Sequence, residues 1–175
     1  MVNSSDHHQC FEHVERAIRG RTFGTLSTLS RQGHPHATGV VYAVSPPSQP
    51  LRLYVTTRTS TVKVANIRRA PAVAFVIPVP RRGIPLFPPS AVQFRATATI
   101  LSADDPAAIA AFRSTWFLRR ILRAERRIVS EGGEMCFIAI RPMRTLSTYA
   151  IGMSALAVTR HPRQATGRVD LPAGR

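Results

Sequence analysis

Thr56-Thr57-Arg58-Thr59-Ser60-Thr61-Val62-Lys63 places five hydroxyls, a guanidinium and an ammonium group within eight consecutive residues. Hydroxyls and cations at that density suit an oxyanion, phosphate above all, because each of them can donate to a phosphate oxygen. The lysine adds weight. The chain carries 23 arginines and a single lysine, Lys63, so its one compact ammonium lies in this stretch. Leu51-Arg52-Leu53-Tyr54-Val55 ahead of it alternates and is rich in β-formers, which reads as a strand. Behind it, Val64, Ile67 and Arg68 fall at helical spacing, and Pro71 ends a helix by position 70. The hydroxyls therefore sit where a strand hands over to a helix, among free N–H groups at the positive end of the helix dipole. A solvated lysine on the first turn of a short helix accounts for the same spacing equally well.

Other chemistry-bearing groups are sparse. His7, His8 and His13 have no nearby cysteine or histidine pair to complete a metal site, so no metal is expected. Cys10 and Cys136 lie far apart and read as reduced thiols of a cytoplasmic protein. No apolar run approaches the roughly 20 residues of a membrane span, and the first residues lack the basic and apolar segments of a signal peptide. A net charge of +15 calls for an anionic partner, either a nucleic acid or a charged cofactor. The arginines cluster at Arg68-Arg69, Arg81-Arg82 and Arg119 to Arg127, and the near-absence of lysine shows a compositional preference that weakens any inference from charge alone.

The elements that would position these residues follow in order. A helix capped by Ser4 or Ser5 runs to Arg19, with Cys10, Phe11, Val14 and Ile18 on one face and Gly20 as its stop. Thr22–Leu29 and His36–Val44 form two strands about a tight turn at Gln32-Gly33. Gly39, inside the second, hints at the close approach of a planar group or another backbone, although a bulge is the plainer reading. Ala72–Ile77 is apolar throughout, hence a central strand; Pro78–Pro89 is too proline-rich for regular structure and reads as a loop over a pocket or a partner subunit. Ala91–Leu101 is a long alternating strand. A helical insert spans about 104–131, with Ile109, Phe112, Phe117, Ile121, Leu122 and Ile128 inward; Arg119, Arg120, Arg123, Arg126 and Arg127 form a basic ridge, for which a solvated face is the plainer reading. Met135–Pro142 and Met143–Ala150 make a closing strand pair, and residues 154–175 form a mobile basic tail. Seven short strands with few helices imply a small closed or nearly closed β-barrel: residues 1–20 add a helix, and 21–153 form the barrel with its insert.

Two blocks give this order a family likeness. Gly24-Thr25-Leu26-Ser27-Thr28-Leu29 with Gly33-His34-Pro35-His36 is one; Tyr54-Val55-Thr56-Thr57 leading to Thr61-Val62-Lys63 and Asn66–Val73 is the stronger. Over about residues 10 to 150 the chain resembles the pyridoxamine 5′-phosphate oxidase-like family, the flavin-binding split barrels. That resemblance implies a mainly β fold of the split-barrel type, a homodimer, and FMN in a groove at the subunit interface. Carried over by position, Thr61 and Lys63, with the Val62 amide, would hold the cofactor phosphate. Thr56 and Thr57 would contact the ribityl chain or phosphate, and Thr38, Gly39, Val40 and Val41 would lie against the ring system. Arg58 beside that phosphate site, with Arg68 and Arg69, would neutralise an anionic tail. The chain also departs from the family pattern. Val62 stands where the oxidases place an arginine, Ala43 where they place the substrate-phosphate lysine, and Ile109 near their substrate tyrosine; Arg160-His161-Pro162-Arg163 matches their C-terminal motif only loosely. Oxidation of the vitamin phosphate is therefore not expected. The resemblance implies a flavin-type oxidoreductase using FMN or, alternatively, the deazaflavin coenzyme F-420, acting on a small molecule with no residue identified as catalytic. A small barrel binding nucleic acid is the alternative from another class. It is disfavoured because aromatics make up only 7% of residues and Phe75, Phe94 and Phe137 fall at core positions.

Overall fold

A computed structural model describes residues 11–80, 89–130 and 133–172. The expected helix start at Ser4 or Ser5, His7, His8, Cys10 and most of the proline-rich loop lie outside them. Helix α1 (Phe11–Arg19) precedes strands β1 (Phe23–Leu29), β2 (Pro35–Val44) and β3 (Leu53–Arg58), then α2 (Val62–Arg69). There follow β4 (Ala72–Val79), β5 (Ser90–Ser102), α3 (Pro106–Phe112), α4 (Trp116–Ser130), β6 (Met135–Pro142) and β7 (Thr145–Tyr149). After β7 come α5 (Ala155–Arg160), a 3-10 turn at Pro162–Gln164 and β8 (Thr166–Asp170). The strands order as β4-β1-β2-β3-β6-β5-β7-β8, and β4 also pairs with β5. That extra pairing closes six antiparallel strands into a barrel, with β7 and β8 extending from β5. The expected split barrel is therefore the observed fold.

Alternation decides the core. Leu26, Tyr42, Phe75, Ile77, Val92, Ile138 and Ile140 point into the barrel and are fully buried. Phe75 sits at their centre, edge-on to Tyr42 at 5.6 Å and stacked on Phe94 at 5.8 Å. Helix α1 lays Val14 and Ile18 on this core, and the Tyr42 hydroxyl donates to the Ile18 carbonyl at 2.8 Å. Burial pushes the Tyr42 phenol above its ordinary range, so it remains a donor. On the outside, Ala43, Tyr54, Phe137 and Ala139 pack under Phe112, Leu118 and Leu122 of α3 and α4. The insert is thus two helices. Asp105 caps the first by accepting from the Ala108 N–H at 2.8 Å, with Pro106 following it.

Three expectations change. First, β6 and β7 do not pair with each other. β6 joins β5 at Ala96–Ser102 and β7 joins the same edge at Ala91–Gln93, so they lie end to end. Pro142 has no N–H to extend a ladder, and the Met143 N–H instead donates to the Arg95 carbonyl at 2.8 Å, carrying the chain onward without a reversal. Second, residues 155–170 are not a featureless tail: β8 pairs with β7 from Thr145↔Asp170 to Tyr149↔Thr166, and Val169 is buried beside Leu146. One inward apolar residue in a five-residue edge strand gave too little periodicity to read. Third, Gly39 marks no bulge, since β1 and β2 pair without interruption from Phe23↔Val41 to Leu29↔Pro35. A Cβ at Gly39 would lie 2.9 Å from the Phe23 ring, so the planar group beside it is the chain's own phenylalanine.

Gly24 is more tightly constrained. A Cβ there would stand 2.5 Å from Phe75 Cε1 and 2.9 Å from the Val76 carbonyl oxygen, neither of which can yield in a packed core. Gly24→Ala is expected to lower stability by about 1–3 kcal/mol, read as a reduced urea midpoint at unchanged slope. Gly39→Ala, which meets only the half-exposed Phe23 ring, is expected to change the midpoint far less.

Candidate functional site

The ladder between β2 and β3 covers only Tyr42↔Val55, Ala43↔Tyr54 and Val44↔Leu53. Beyond it the two strands part: Pro35–Val41 stays on β1, while Thr56, Thr57 and Arg58 stay on β6, opposite Phe137, Cys136 and Met135. Backbone groups alternate in direction along antiparallel strands. The Tyr42 N–H donates to the Thr22 carbonyl, so Tyr42, Val40 and Thr38 turn their backbone groups toward β1, and Val41 and Gly39 turn theirs toward the opening. On the other bank the Thr59 N–H donates to the Glu134 carbonyl, so Thr57 faces β6 and Thr56 faces the opening. The sequence reading treated Thr38 to Val41 as equivalent. Of those four, only Gly39 and Val41 offer main-chain groups to the opening.

At its end lies the hydroxyl and ammonium cluster. Lys63 Nζ donates to Thr57 Oγ1 at 3.3 Å, and Thr57 Oγ1 lies 3.3 Å from Thr61 Oγ1. Thr61 is the N-cap of α2, but its hydroxyl donates to the Arg58 carbonyl at 3.0 Å and caps no helix N–H. The first-turn amides of α2 are thereby left without a side-chain partner beside an ammonium group, which is the arrangement an oxyanion requires. Thr57, Thr61 and Lys63 come together as expected. The Val62 side chain is apolar and 58% exposed, so it adds no donor to the cluster. Thr56 points to the other face of β3. Its Oγ1 is buried and has no hydrogen-bond partner among the described residues, a state that carries a desolvation cost. A prearranged cation with two hydroxyls at the end of the opening fits a bound phosphate ester.

The electrostatics point the same way. Burial holds the Lys63 ammonium below its usual range, with Glu125 of α4 opposing that shift and Arg58 adding to it. Burial raises the Cys136 thiol, while Arg68 and Lys63 pull it down. Glu125 and Cys136 are neighbours of the site that sequence reasoning missed. Glu125 had one signal, being the single acid among the arginines of α4; Cys136 had none beyond its strand register.

A sequence profile of the pyridoxamine 5′-phosphate oxidase family matches residues 11–147. The chain belongs to that family. No curated protein matches it in sequence. Among solved structures it is similar to a pyridoxamine 5′-phosphate oxidase-related, FMN-binding protein from Nostoc punctiforme, at 14% identity and TM-score 0.56 over 93% of this chain and 94% of that one. It is similar to a FAD-binding protein from Mesorhizobium loti, at 15% identity and TM-score 0.57 over 80% and 92%. It also resembles the haem storage protein HutZ from Vibrio cholerae, at 15% identity and TM-score 0.59 over 77% and 91%. At these identities the likeness is one of fold. Within the pyridoxamine 5′-phosphate oxidase family this chain's departures have structural consequences. Ala43 is buried beneath α3 and cannot be replaced in role by a lysine, and Arg160, His161 and Arg163 lie exposed around the end of α5.

Replacing Lys63 by methionine is expected to leave the ligand-free protein at least as stable near neutral pH. A lysine whose folded pKa is lowered opposes folding below that pKa, and the opposition fades as pH rises toward the ordinary lysine value. The advantage of the variant should therefore shrink with rising pH, measured by thermal melting across the neutral to alkaline range.

Proposed function

We propose that the chain is a flavin-type oxidoreductase that seats the phosphate of FMN on Lys63, Thr61 and Thr57. The observation that carries this reading is the Lys63–Thr57–Thr61 cluster at the N-terminus of α2, set at the end of the opening between β2 and β3. Arg58 flanks the phosphate position, Thr56 meets the ribityl chain with its main-chain groups, and those of Gly39 and Val41 meet the polar edge of the ring. When bound, a flavin supplies hydride or electron transfer; the protein holds it in place and excludes water. Ala43 and exposed Val62 support a small-molecule substrate other than the vitamin phosphate. A homodimer would cover the opening from outside, where Phe23 and Leu29 of β1 are exposed apolar groups.

A deazaflavin in the same seat is the second reading. It is favoured by Arg68 and Arg69, exposed on the last turn of the helix whose first turn holds Lys63, where they could meet a longer anionic tail.

The test is purification followed by absorbance spectra and mass identification of the bound molecule, with reconstitution of any ligand-free fraction. FMN is the expected result, deazaflavin would select the second reading, and a haem spectrum or no binding of either cofactor would overturn both. Lys63→Ala is expected to weaken FMN binding roughly ten- to hundredfold, as loss of a charged hydrogen bond of about 1.5–3 kcal/mol implies. Unchanged affinity by titration would remove Lys63 from the site.

A further inference from the structure

Helix α4 carries a second cationic site, away from the barrel opening. Trp116, Arg120, Arg123, Ala124 and Arg127 line a cleft of about 410 Å³ on its outer side. Their spacing of three and four residues places them on one stripe of the helix. Trp116 is 65% exposed, an uncommon position for the one tryptophan of the chain. The Arg120 guanidinium lies over its ring at 6.0 Å and the Phe117 ring meets it at right angles at 6.3 Å, and the indole still keeps most of its surface exposed. Arg120 and Arg123 have no carboxylate partner among the described residues. Structural need does not explain the tryptophan, because the packing of α4 is supplied by Leu118 and Leu122 on its other side.

We propose that this stripe binds single-stranded nucleic acid, with a base stacking on Trp116 and backbone phosphates on Arg120 and Arg123. An open aromatic face followed by arginines along one line is the arrangement that serves unpaired strands: the ring takes a base and the guanidiniums track the backbone. A net charge of +15 draws such a partner from solution. A bilayer surface suits the helix less well, because an interfacial helix must submerge an apolar face, and that of α4 is already buried on β3 and β6. An acidic polypeptide would satisfy the arginines and leave the indole unused. A duplex keeps its bases stacked and gives Trp116 nothing to hold. The sequence reading disfavoured nucleic acid because the aromatics it weighed, Phe75, Phe94 and Phe137, lie in core strands; the most exposed aromatic among the described residues lies on a helix.

Trp116 is also the reporter, since no other tryptophan contributes emission. Titration of the full chain with oligo(dT) and oligo(U) is expected to quench its fluorescence, with an affinity that falls steeply as salt rises. In anisotropy with labelled oligonucleotide, Trp116→Ala should bind roughly tenfold more weakly. R120Q/R123Q should reduce the slope of log affinity against log salt by about 1.4, two phosphate contacts at about 0.7 each. Both variants should melt like the parent chain and retain its cofactor, which separates this site from the barrel opening. The proposal is overturned by unchanged tryptophan emission, by variants that bind like the parent, or by equal affinity for a duplex of the same length. It is equally overturned if polyglutamate at matched charge displaces the oligonucleotide, or if anionic vesicles quench Trp116 and oligonucleotides do not.

Discussion

The structure depends on a ladder that stops early. β2 and β3 share three residue pairs and then part, although each continues for several residues on its other neighbour. A sheet edge opened in this way presents unpaired main-chain groups, which in a closed barrel exist almost nowhere else. β1 and β6 hold the two strands apart, and α2 fills the end of the barrel with Val64 and Ile67. The Asn66 side chain ties that helix to Thr28 across a buried 3.0 Å hydrogen bond, fixing where its first turn meets the opening. The position of Lys63 is therefore set by core packing rather than by a flexible loop.

That placement has an electrostatic cost that the fold keeps. An ammonium group half-withdrawn from water, with an arginine near it, is worse off than an exposed lysine. The Thr56 hydroxyl, buried without a partner among the described residues, adds to the same unmet polar demand. A binding site prearranged for a charged ligand has this character, because the ligand then supplies what the folded chain lacks. Glu125 moderates the cost from α4, and so links the insert helices to the barrel's cationic end.

Much of this was legible in the residues. Strands with clean alternation, such as the inward Val92, Phe94, Ala96 and Ala98 of β5, were readable because one face is buried and the other wet. The cluster at 56–63 was readable because its residue types are improbable anywhere but a polar junction. Sequence could not show which side of each strand the backbone groups take, since that depends on which neighbour is paired and for how long. Hence Thr38 and Val40 were grouped with Gly39 and Val41, and Thr56 with Thr57. Nor could it show that β7 follows β6 along one edge: two strands with a short link ordinarily form a hairpin, and the link here fails to reverse because its amide is taken by Arg95. The exposure of Trp116 was equally illegible, because it depends on which face α4 turns to the barrel.

The distant pairing of β3 has a consequence for how the chain acquires its form. Leu53 to Arg58 is flanked on one side by Ile140 to Met135, partners that follow it by about half the chain. Contacts so remote in sequence must wait for a long loop to close, and chains dominated by them fold slowly. During synthesis the segment carrying Thr56 and Thr57 leaves the ribosome well before β6, with only the β2 hairpin to steady it. The sixth strand thus completes the bank of the groove begun by the third, and a nascent chain cannot set the Lys63–Thr57–Thr61 cluster beside that groove until most of the protein exists.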